Sequence, residues 1–537
     1  MHKTSSDAPT LAADYVIIGG GTAGCVLANR LSRDPVCQVV VLEAGDEDTS
    51  RWIGMPAGIA KLYAHKRLNW RYQTEPEPAL GGRRLYWPRG KVLGGTSSIN
   101  GMTFVRGQPA DYDGWGAIAG SMWSWSEVLP YFKRFEDSPF GTREFRGSGG
   151  PMRIGPIVAP HPLSRAFLEA CIASGIPFND DYNGAFQDGI AFNQVMMRDG
   201  VRVSAASAYL APVRDRANLR VFTRSLVRRI VIDGGRAIGV EFERRHRVET
   251  ITARREVLLC GGTVASPQLL LLSGIGDAAG LTALGIVPVI DRPAVGRNMQ
   301  EHVRAPLAFR TRVPSFNRDT QGWRLLRSVI EYVRHHKGLL SVTASQVNGF
   351  VRSSPAVERP DLQLVFRPSS GDYRDGRFVI HKYDGVMAMA GLLRPQSRGH
   401  VALRSADPRT EPSILAGHLT DPADVEPLMR GIELLRRVFA TPPLRELIAE
   451  EVRPGAQIDS GAALREYVYA TADSLYHAVG TCAMGTAANS VTTPELRVRG
   501  IDALRVVDAS VMPLVPSGNT TAAVLMVAER AADLILR

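Results

Sequence analysis

Residues 14–45 read DYVIIGGGTAGCVLANRLSRDPVCQVVVLEAG, and their spacing decides the fold. An apolar run, Tyr15 to Ile18, enters a glycine cluster and then a helical stretch, Cys25 to Arg33. A second apolar run, Gln38 to Leu42, ends at an acid, Glu43. The glycines fall as Gly19-x-Gly21-x-x-Gly24, and each position has its own task. The first permits a tight strand-to-helix turn, the second lets backbone approach a pyrophosphate, and the third lets the helix pack close on the strand. The helix N-terminus then turns unpaired N–H groups and the positive end of its dipole toward phosphates. Glu43, followed by Ala44, ends the second strand, where its carboxylate accepts hydrogen bonds from both hydroxyls of an adenosine ribose. In a chain with 52 glycines the spacing alone is weak. Its setting between two β-type runs, with the acid downstream, marks a dinucleotide site. The motif does not separate NAD from FAD.

Outward from this unit, Trp52 to Pro88 has little periodicity and reads as an extended loop wrapping something. Next comes WPRGKVLGGTSSINGMTFVRG, Trp87 to Gly107, whose paired glycines, hydroxyls and Arg89 suit backbone lying close against a flat or charged ligand. Val92, Leu93, Ile99 and Met102 thread through it, which an exposed flexible loop would not need. Residues 112–136 begin with turn residues and end in a helix capped by Ser124 or Ser126. An amphipathic helix, Leu163 to Ser174, follows. Five β runs between 219 and 259 (Leu219–Phe222, Val227–Asp233, Ala237–Phe242, Glu249–Ala253, Glu256–Leu259) read as a meander. GGTVASPQLLLLSGIG, Gly261 to Gly276, is a strand end, a glycine turn, a leucine-rich helix and a glycine stop. Residues 311–466 carry β-like runs such as Asp361 to Phe366 and helices such as Pro427 to Phe439. Dense motifs return in YHAVGTCAMG, Tyr476 to Gly485, in a short strand, Leu504 to Val507, and in Asn519-Thr520-Thr521, which caps a final helix.

Glycine-rich ligand loops at both ends of the chain imply an α/β fold (α+β overall) with a discontinuous, Rossmann-like nucleotide domain: residues 12–158, 212–310 and 467–537. A sheet-based substrate domain, residues 159–211 and 311–466, is inserted in it.

At 537 residues the chain is too long for one core. Its net charge of +11 is spread, with only short clusters such as Glu243-Arg244-Arg245-His246-Arg247 and no basic run interleaved with aromatics. A solvated basic surface follows, not nucleic-acid binding. The five cysteines (Cys25, Cys37, Cys171, Cys260, Cys482) lack CxxC spacing, which argues against a disulfide framework and against zinc. His335-His336 has no carboxylate at helical spacing and reads as exposed, so no metal is expected. MHKTSSDAPTLAAD lacks the apolar core of a secretory signal. No uninterrupted run of 18 or more apolar residues occurs. A cytoplasmic protein without an integral membrane segment is the expectation.

Four ordered stretches, the N-terminal glycine motif, GKVLGGTSSING, GTVASPQLLLLSGIG and the pair HAVGTCAMG…SGNTTA, together resemble the glucose–methanol–choline (GMC) oxidoreductases, an FAD-dependent alcohol-oxidising family. The resemblance covers nearly the whole length and decides FAD over NAD. It implies that Gly19, Gly21, Thr22, Ala23, Gly24, Glu43 and Ala44 hold the ADP half. It places Trp70, Arg89, Val92, Gly94, Asn100, Gly101, Met102 and Thr103 along the flavin and pyrophosphate, and Val227 at the adenine. Asp508, Ala509 and Thr520 would close over the pyrophosphate and flavin edge, and Tyr476 would wall the flavin face. Some members attach FAD through a histidine at the position of Ile99, so FAD is expected to be non-covalent here.

His477 matches the family's catalytic histidine, the base for the alcohol proton as hydride passes to flavin N5. Asn519 matches its partner. Taken alone, His477 would read as a buried, satisfied histidine, and Asn519 as a plain N-cap. His302, in NMQEH, also falls in a stretch like the family's, and is given no catalytic role. The resulting expectation is oxidation of the CH–OH group of a primary alcohol or polyol, with electrons passing to dioxygen or a quinone or other carrier. The alternative is an FAD-containing lyase on the same scaffold, a hydroxynitrile lyase or a photodecarboxylase.

Overall fold

The computed structural model describes residues 11–537 apart from 321, 375, 376 and 460. The reading of the N-terminus as free of a signal concerns mainly residues 1–10, which lie outside the described residues. In chain order the principal strands begin with β1 (Leu11–Ile18), β2 (Val39–Leu42), β3 (Gly189–Phe192), β4 (Leu219–Phe222), β5 (Ser225–Asp233), β6 (Arg236–Arg244) and β7 (Arg247–Leu259). They continue with β8 (Val303–Thr311), β9 (Val347–Val351), β10 (Leu362–Arg367), β11 (Gly385–Leu392), β12 (Ile448–Arg453), β13 (Asp473–Ser474) and β14 (Leu504–Val506). The principal helices are α1 (Thr22–Leu31), α2 (Pro109–Ala119), α3 (Trp125–Phe135), α4 (Pro162–Ala173), α5 (Gly262–Leu272), α6 (Gly322–His335), α7 (Val425–Phe439) and α8 (Thr521–Leu536).

Strands that are apolar without alternation are buried on both faces, and β2 (VVVL) is wholly buried. It lies in a sheet ordered β4-β2-β1-β7-β6-β5, with β14 also paired to β7. β4, β2, β1, β7 and β14 run parallel, and β5 and β6 extend β7 antiparallel. The chain's ends meet here, because β14 joins the sheet and α8 packs on α1. A second sheet, ordered β12-β8-β11-β10-β9-β3 with β13 beside β8, is antiparallel throughout. Helices α4 and α7 cover one of its faces, with Phe309 stacked on Phe439 and Phe167 on Phe366. The period of two along β10 sends Leu364 and Phe366 into that core. Gln363, Val365 and Arg367 therefore face the other way, into a cleft.

Four local expectations change. Residues 112–119 are helix, not turn: α2 has Pro109 at its first position and a Gln108/Asp111 capping box, signals masked by Gly114, Gly116 and Gly120. Trp52 to Pro88 is not one extended loop but short helical turns at Pro56–Gly58 and Ile59–Leu62 and a ribbon of Tyr72–Gln73 with Tyr86–Trp87. The runs 249–253 and 256–259 fuse into β7 across a register shift, and Leu219–Phe222 leaves the supposed meander to pair with β2. Ala205 to Leu210, assigned by sequence to the inserted domain, packs with the first core against α1. The reason is an alanine-rich surface that lets the backbones approach, plus Tyr209, whose hydroxyl donates to Glu529 at 2.7 Å.

Glu529, fully buried on α8, also accepts from Arg30 of α1 at 2.9 and 2.6 Å. It ties together the first helix, the last helix and the Ala206–Leu210 turn. Glu529→Ala leaves Arg30 buried without its anion, so the thermal unfolding midpoint should drop in step with a loss of about 3–5 kcal/mol. An unchanged midpoint would show that the tie carries no stability.

Candidate active site

Two adjoining clefts lie between the sheets. The first runs from the β1–α1 turn along Gly19, Gly21, Thr22, Ala23, Glu43 and Ala44 to Trp70, Arg89, Val227, Asp508, Ala509 and Thr520. The second is lined by Asn100, Gly101, Met102, Thr103, Gln363, Arg367, His477 and Asn519, among others. Thr96, Tyr476, Thr520 and Thr521 border both.

Two of the three motif glycines meet a steric demand within the chain. At Gly19 (φ +98°) a Cβ would lie 2.6 Å from the Cys260 carbonyl oxygen, and at Gly24 it would lie 2.0 Å from the Gly19 oxygen. At Gly21 the nearest atoms would be 3.9 Å away, so packing does not require a glycine there. Gly21 is also the N-cap of α1 and makes no side-chain cap, nor does Thr520 at α8. Two uncapped helix N-termini thus open on one cleft, an anion-binding arrangement. Glu43 is buried, accepts from Gly20 N at 2.8 Å and Gly45 N at 2.7 Å, and burial pushes its carboxyl up to about 7. These donors and this acid fit a dinucleotide.

Not every predicted contact lines the first cleft. Gly24 serves helix packing, Val92 is sealed in a small core with Ile53 and Leu62, and Gly94 (φ +82°) leaves room for the Ser98 hydroxyl. Asn100, Gly101, Met102 and Thr103 face the second cleft, where Asn100 Oδ1 accepts from Arg202 Nη1 at 2.9 Å. Asp508 is occupied by Gly262 N, Ser266 and Ser510, so its carboxylate fastens the start of α5. Burial raises its pKa.

The wall between the clefts carries a chain of imidazole hydrogen bonds. Tyr476 sits at φ 68°, a strained setting that precedes His477 directly. The His477 backbone N–H donates to Glu301 Oε1 at 2.6 Å. Its imidazole Nδ1 lies 2.9 Å from His302 Nδ1, and its Nε2 lies 2.9 Å from Asn519 Nδ2. The other His302 nitrogen, Nε2, is 3.0 Å from the Leu393 carbonyl oxygen. A carbonyl only accepts, so His302 Nε2 carries the proton and its Nδ1 is bare. His477 Nδ1–H must then donate to it, which leaves His477 Nε2 bare. Asn519, donating to Nε2 while its Oδ1 faces Gln363 Nε2 at 3.4 Å, agrees from the opposite side.

Both rings are neutral at pH 7. Burial lowers His302 to about 4. Burial first, then the nearby His302, Arg89 and Arg304, holds His477 well below the usual histidine value. Glu301, whose Oε2 lies 3.8 Å from Arg89, is raised by burial to about 7. The sequence reading passed over Glu301 and gave His302 no role; the signal for both was the same NMQEH stretch. Gln363 and Arg367 had only the alternation of β10 to reveal them.

The chain matches the family models described as GMC oxidoreductase over residues 13–304 and 395–528. It is 40% identical over 533 residues to an alcohol dehydrogenase (acceptor) of Pseudomonas putida, covering 98% of this chain and 96% of the relative. It is equally similar, 40% over 538 residues and 98% and 95% coverage, to an oxygen-dependent choline dehydrogenase of Sinorhizobium fredii. Among solved structures, a formate oxidase of Aspergillus oryzae, studied for its FAD modification, superposes with a TM-score of 0.91 at 26% identity, over 98% of both chains.

Histidines held neutral by burial become protonated on unfolding below their ordinary value of about 6.5. His302, His418 and His477 all have lowered folded values, so the unfolded state binds more protons as pH falls. The thermal midpoint should decline from about pH 6.5 toward about pH 4, and less steeply in His418→Leu, which removes a buried Nε2 that has no partner. A profile in His418→Leu identical to that of the wild type would refute the assignment.

Proposed function

The chain belongs to the GMC oxidoreductase family and is an FAD-dependent enzyme acting on CH–OH donors, and we propose that it oxidises an uncharged or anionic primary alcohol with His477 as general base. The observation that carries this reading is the bare His477 Nε2, pointed at Asn519 on the wall where the two clefts meet. We assign the first cleft to FAD and the second to substrate, with the first sheet and its helices as the FAD-binding domain and the second sheet as the substrate domain. FAD supplies a hydride acceptor at its N5. At the position where a family histidine forms a covalent flavin link this chain has Ile99, a buried side chain with no nucleophile, which supports non-covalent binding.

The chain's own residues then act in sequence. An alcohol hydroxyl entering the second cleft displaces Asn519 from His477 and donates to Nε2. Asn519 Nδ2, released, donates to the alcohol oxygen and stabilises the alkoxide character that develops as the proton leaves. His477 Nδ1–H stays fixed on His302, so the ring does not turn as it becomes charged. Glu301, which accepts from the His477 backbone N–H, holds the main chain that carries the ring.

Electrostatics narrow the substrate. Among the described residues lining the second cleft are Arg304 and Arg367 and no aspartate or glutamate. Arg304 is paired with Asp473 at 2.7 Å, whereas Arg367, buried against the Phe378 ring, has no ion pair among the described residues. Tyr63, Tyr476 and Phe378 give the cleft aromatic faces, but with two arginines and no carboxylate among its described lining a quaternary ammonium meets like charge instead of an anion, so choline is disfavoured despite the choline dehydrogenase relatives.

Steady-state and anaerobic flavin-bleaching assays across primary alcohols test the proposal. His477→Ala should retain FAD and lose about 10²–10⁴ in kcat. Because the base works when neutral, activity survives acidification down to its lowered pKa, and the acid limb of kcat/KM should fall below about pH 6.5. Neutral or acidic alcohols should outperform choline. Near-normal bleaching by His477→Ala would overturn the base assignment, and if no alcohol bleached the flavin, lyase chemistry would take its place.

A further inference from the structure

Helix α6 turns its apolar side outward. Among its large apolar residues only Tyr332 is buried, while Trp323, Leu326 and Val333 are 67, 62 and 70% exposed and Ile330, Val329 and Leu325 are 46, 38 and 37% exposed. At 100° per residue these six fall on one arc of the helix, and Arg334, Arg327, Glu331 and Arg324 fall on the arc that adjoins it beside Trp323. A water-facing helix of a soluble domain has the reverse pattern. The helix is nonetheless seated: the Tyr332 hydroxyl donates toward the carbonyls of Gly54 (3.4 Å) and Gly200 (3.3 Å).

We propose that this face of α6 docks in the interfacial plane of an anionic lipid bilayer. Three observations select that occupant. At 1.5 Å per residue the 14-residue helix is about 21 Å long, too short to span a hydrocarbon core of about 30 Å, and no described helix is long and apolar enough to cross one. An in-plane helix needs only an apolar stripe with a cationic border, and here Arg327, Arg334 and Lys337 stand against one carboxylate in residues 322–337, Glu331. Arg324 is shared with Asp319 at 3.5 Å. In a two-fold contact with a second copy, those cations would meet the same cations. Anionic headgroups complement them. Trp323, at the helix start, suits the headgroup boundary where amphipathic rings settle.

The location gives the docking a consequence. After α6 the chain makes a turn at Leu339–Ser341 and reaches Ala344 and Ser345, which line the substrate cleft. That turn packs on Pro56–Gly58, which leads into Ile59, Ala60 and Tyr63 of the same cleft. Docking sets the rim of the cleft at the lipid surface, where a bilayer-dissolved alcohol or electron acceptor meets the enzyme without crossing water.

The test is co-sedimentation of the FAD-loaded enzyme with phosphatidylcholine vesicles, with and without about one-third phosphatidylglycerol. The wild type should pellet with the anionic vesicles and be released by high salt. The double variant Leu326→Glu/Val333→Glu should bind at least about tenfold more weakly. It should keep its flavin spectrum, melting midpoint and turnover of a water-soluble alcohol, since both side chains are exposed and far from the base in sequence. Wild type that stays in the supernatant, or binding that the double variant leaves intact, overturns the proposal. So does a dimer that the double variant splits while vesicles remain unbound, which would make the face a self-contact.

Discussion

The carbonyl oxygen of Leu393 accepts a hydrogen bond from His302 Nε2, and through it fixes which nitrogen of His477 is bare. The logic is one of donors and acceptors. A carbonyl has no proton to give, a neutral imidazole has one, and two rings in contact through their Nδ1 atoms can place only one proton between them. Burial is what keeps the chain of bonds in this state, because both rings are too well shielded from water to charge at neutral pH. His302 touches neither cleft. Its link to them runs through the bond to His477.

That chain of bonds joins parts of the sequence that only the tertiary fold brings together. His302 directly precedes β8, Leu393 directly follows β11, His477 follows β13, and Asn519 directly precedes the turn that starts α8. The second sheet sets the first three through pairing of β8 with β11 and of β8 with β13. Asn519 is delivered by the first core, where α8 is held on α1 by Glu529 and Arg30. His477 and Asn519 therefore come from opposite sides of the boundary between the sheets, and the 2.9 Å contact between them registers one body on the other.

Much of this was legible in the order of residues, for identifiable reasons. The β1–α1–β2 unit was readable because parallel strands buried on both faces leave unbroken apolar runs, and because Gly19 and Gly24 each answer a separate steric demand. His477 and Asn519 were readable only through the resemblance of the stretches around them. What stayed hidden was of two kinds. Helix α2 hid behind its own glycines, which locally favour turns until Gln108, Asp111 and Pro109 are weighed together. His302 and Gln363 hid because their significance lies in contacts across 175 and 156 residues of sequence, which no local pattern carries. The outward apolar face of α6 stayed hidden too, since an apolar stripe in a sequence does not show what covers it.

The most direct test of the account is nitrogen-15 NMR of histidine-labelled, FAD-loaded enzyme near pH 7, with His302→Leu and His477→Ala used to assign the two rings. The account predicts that both are neutral, with the His477 proton on Nδ1 and its Nε2 bare, and the His302 proton on Nε2. A His477 protonated on Nε2, or an imidazolium at that site, would contradict it.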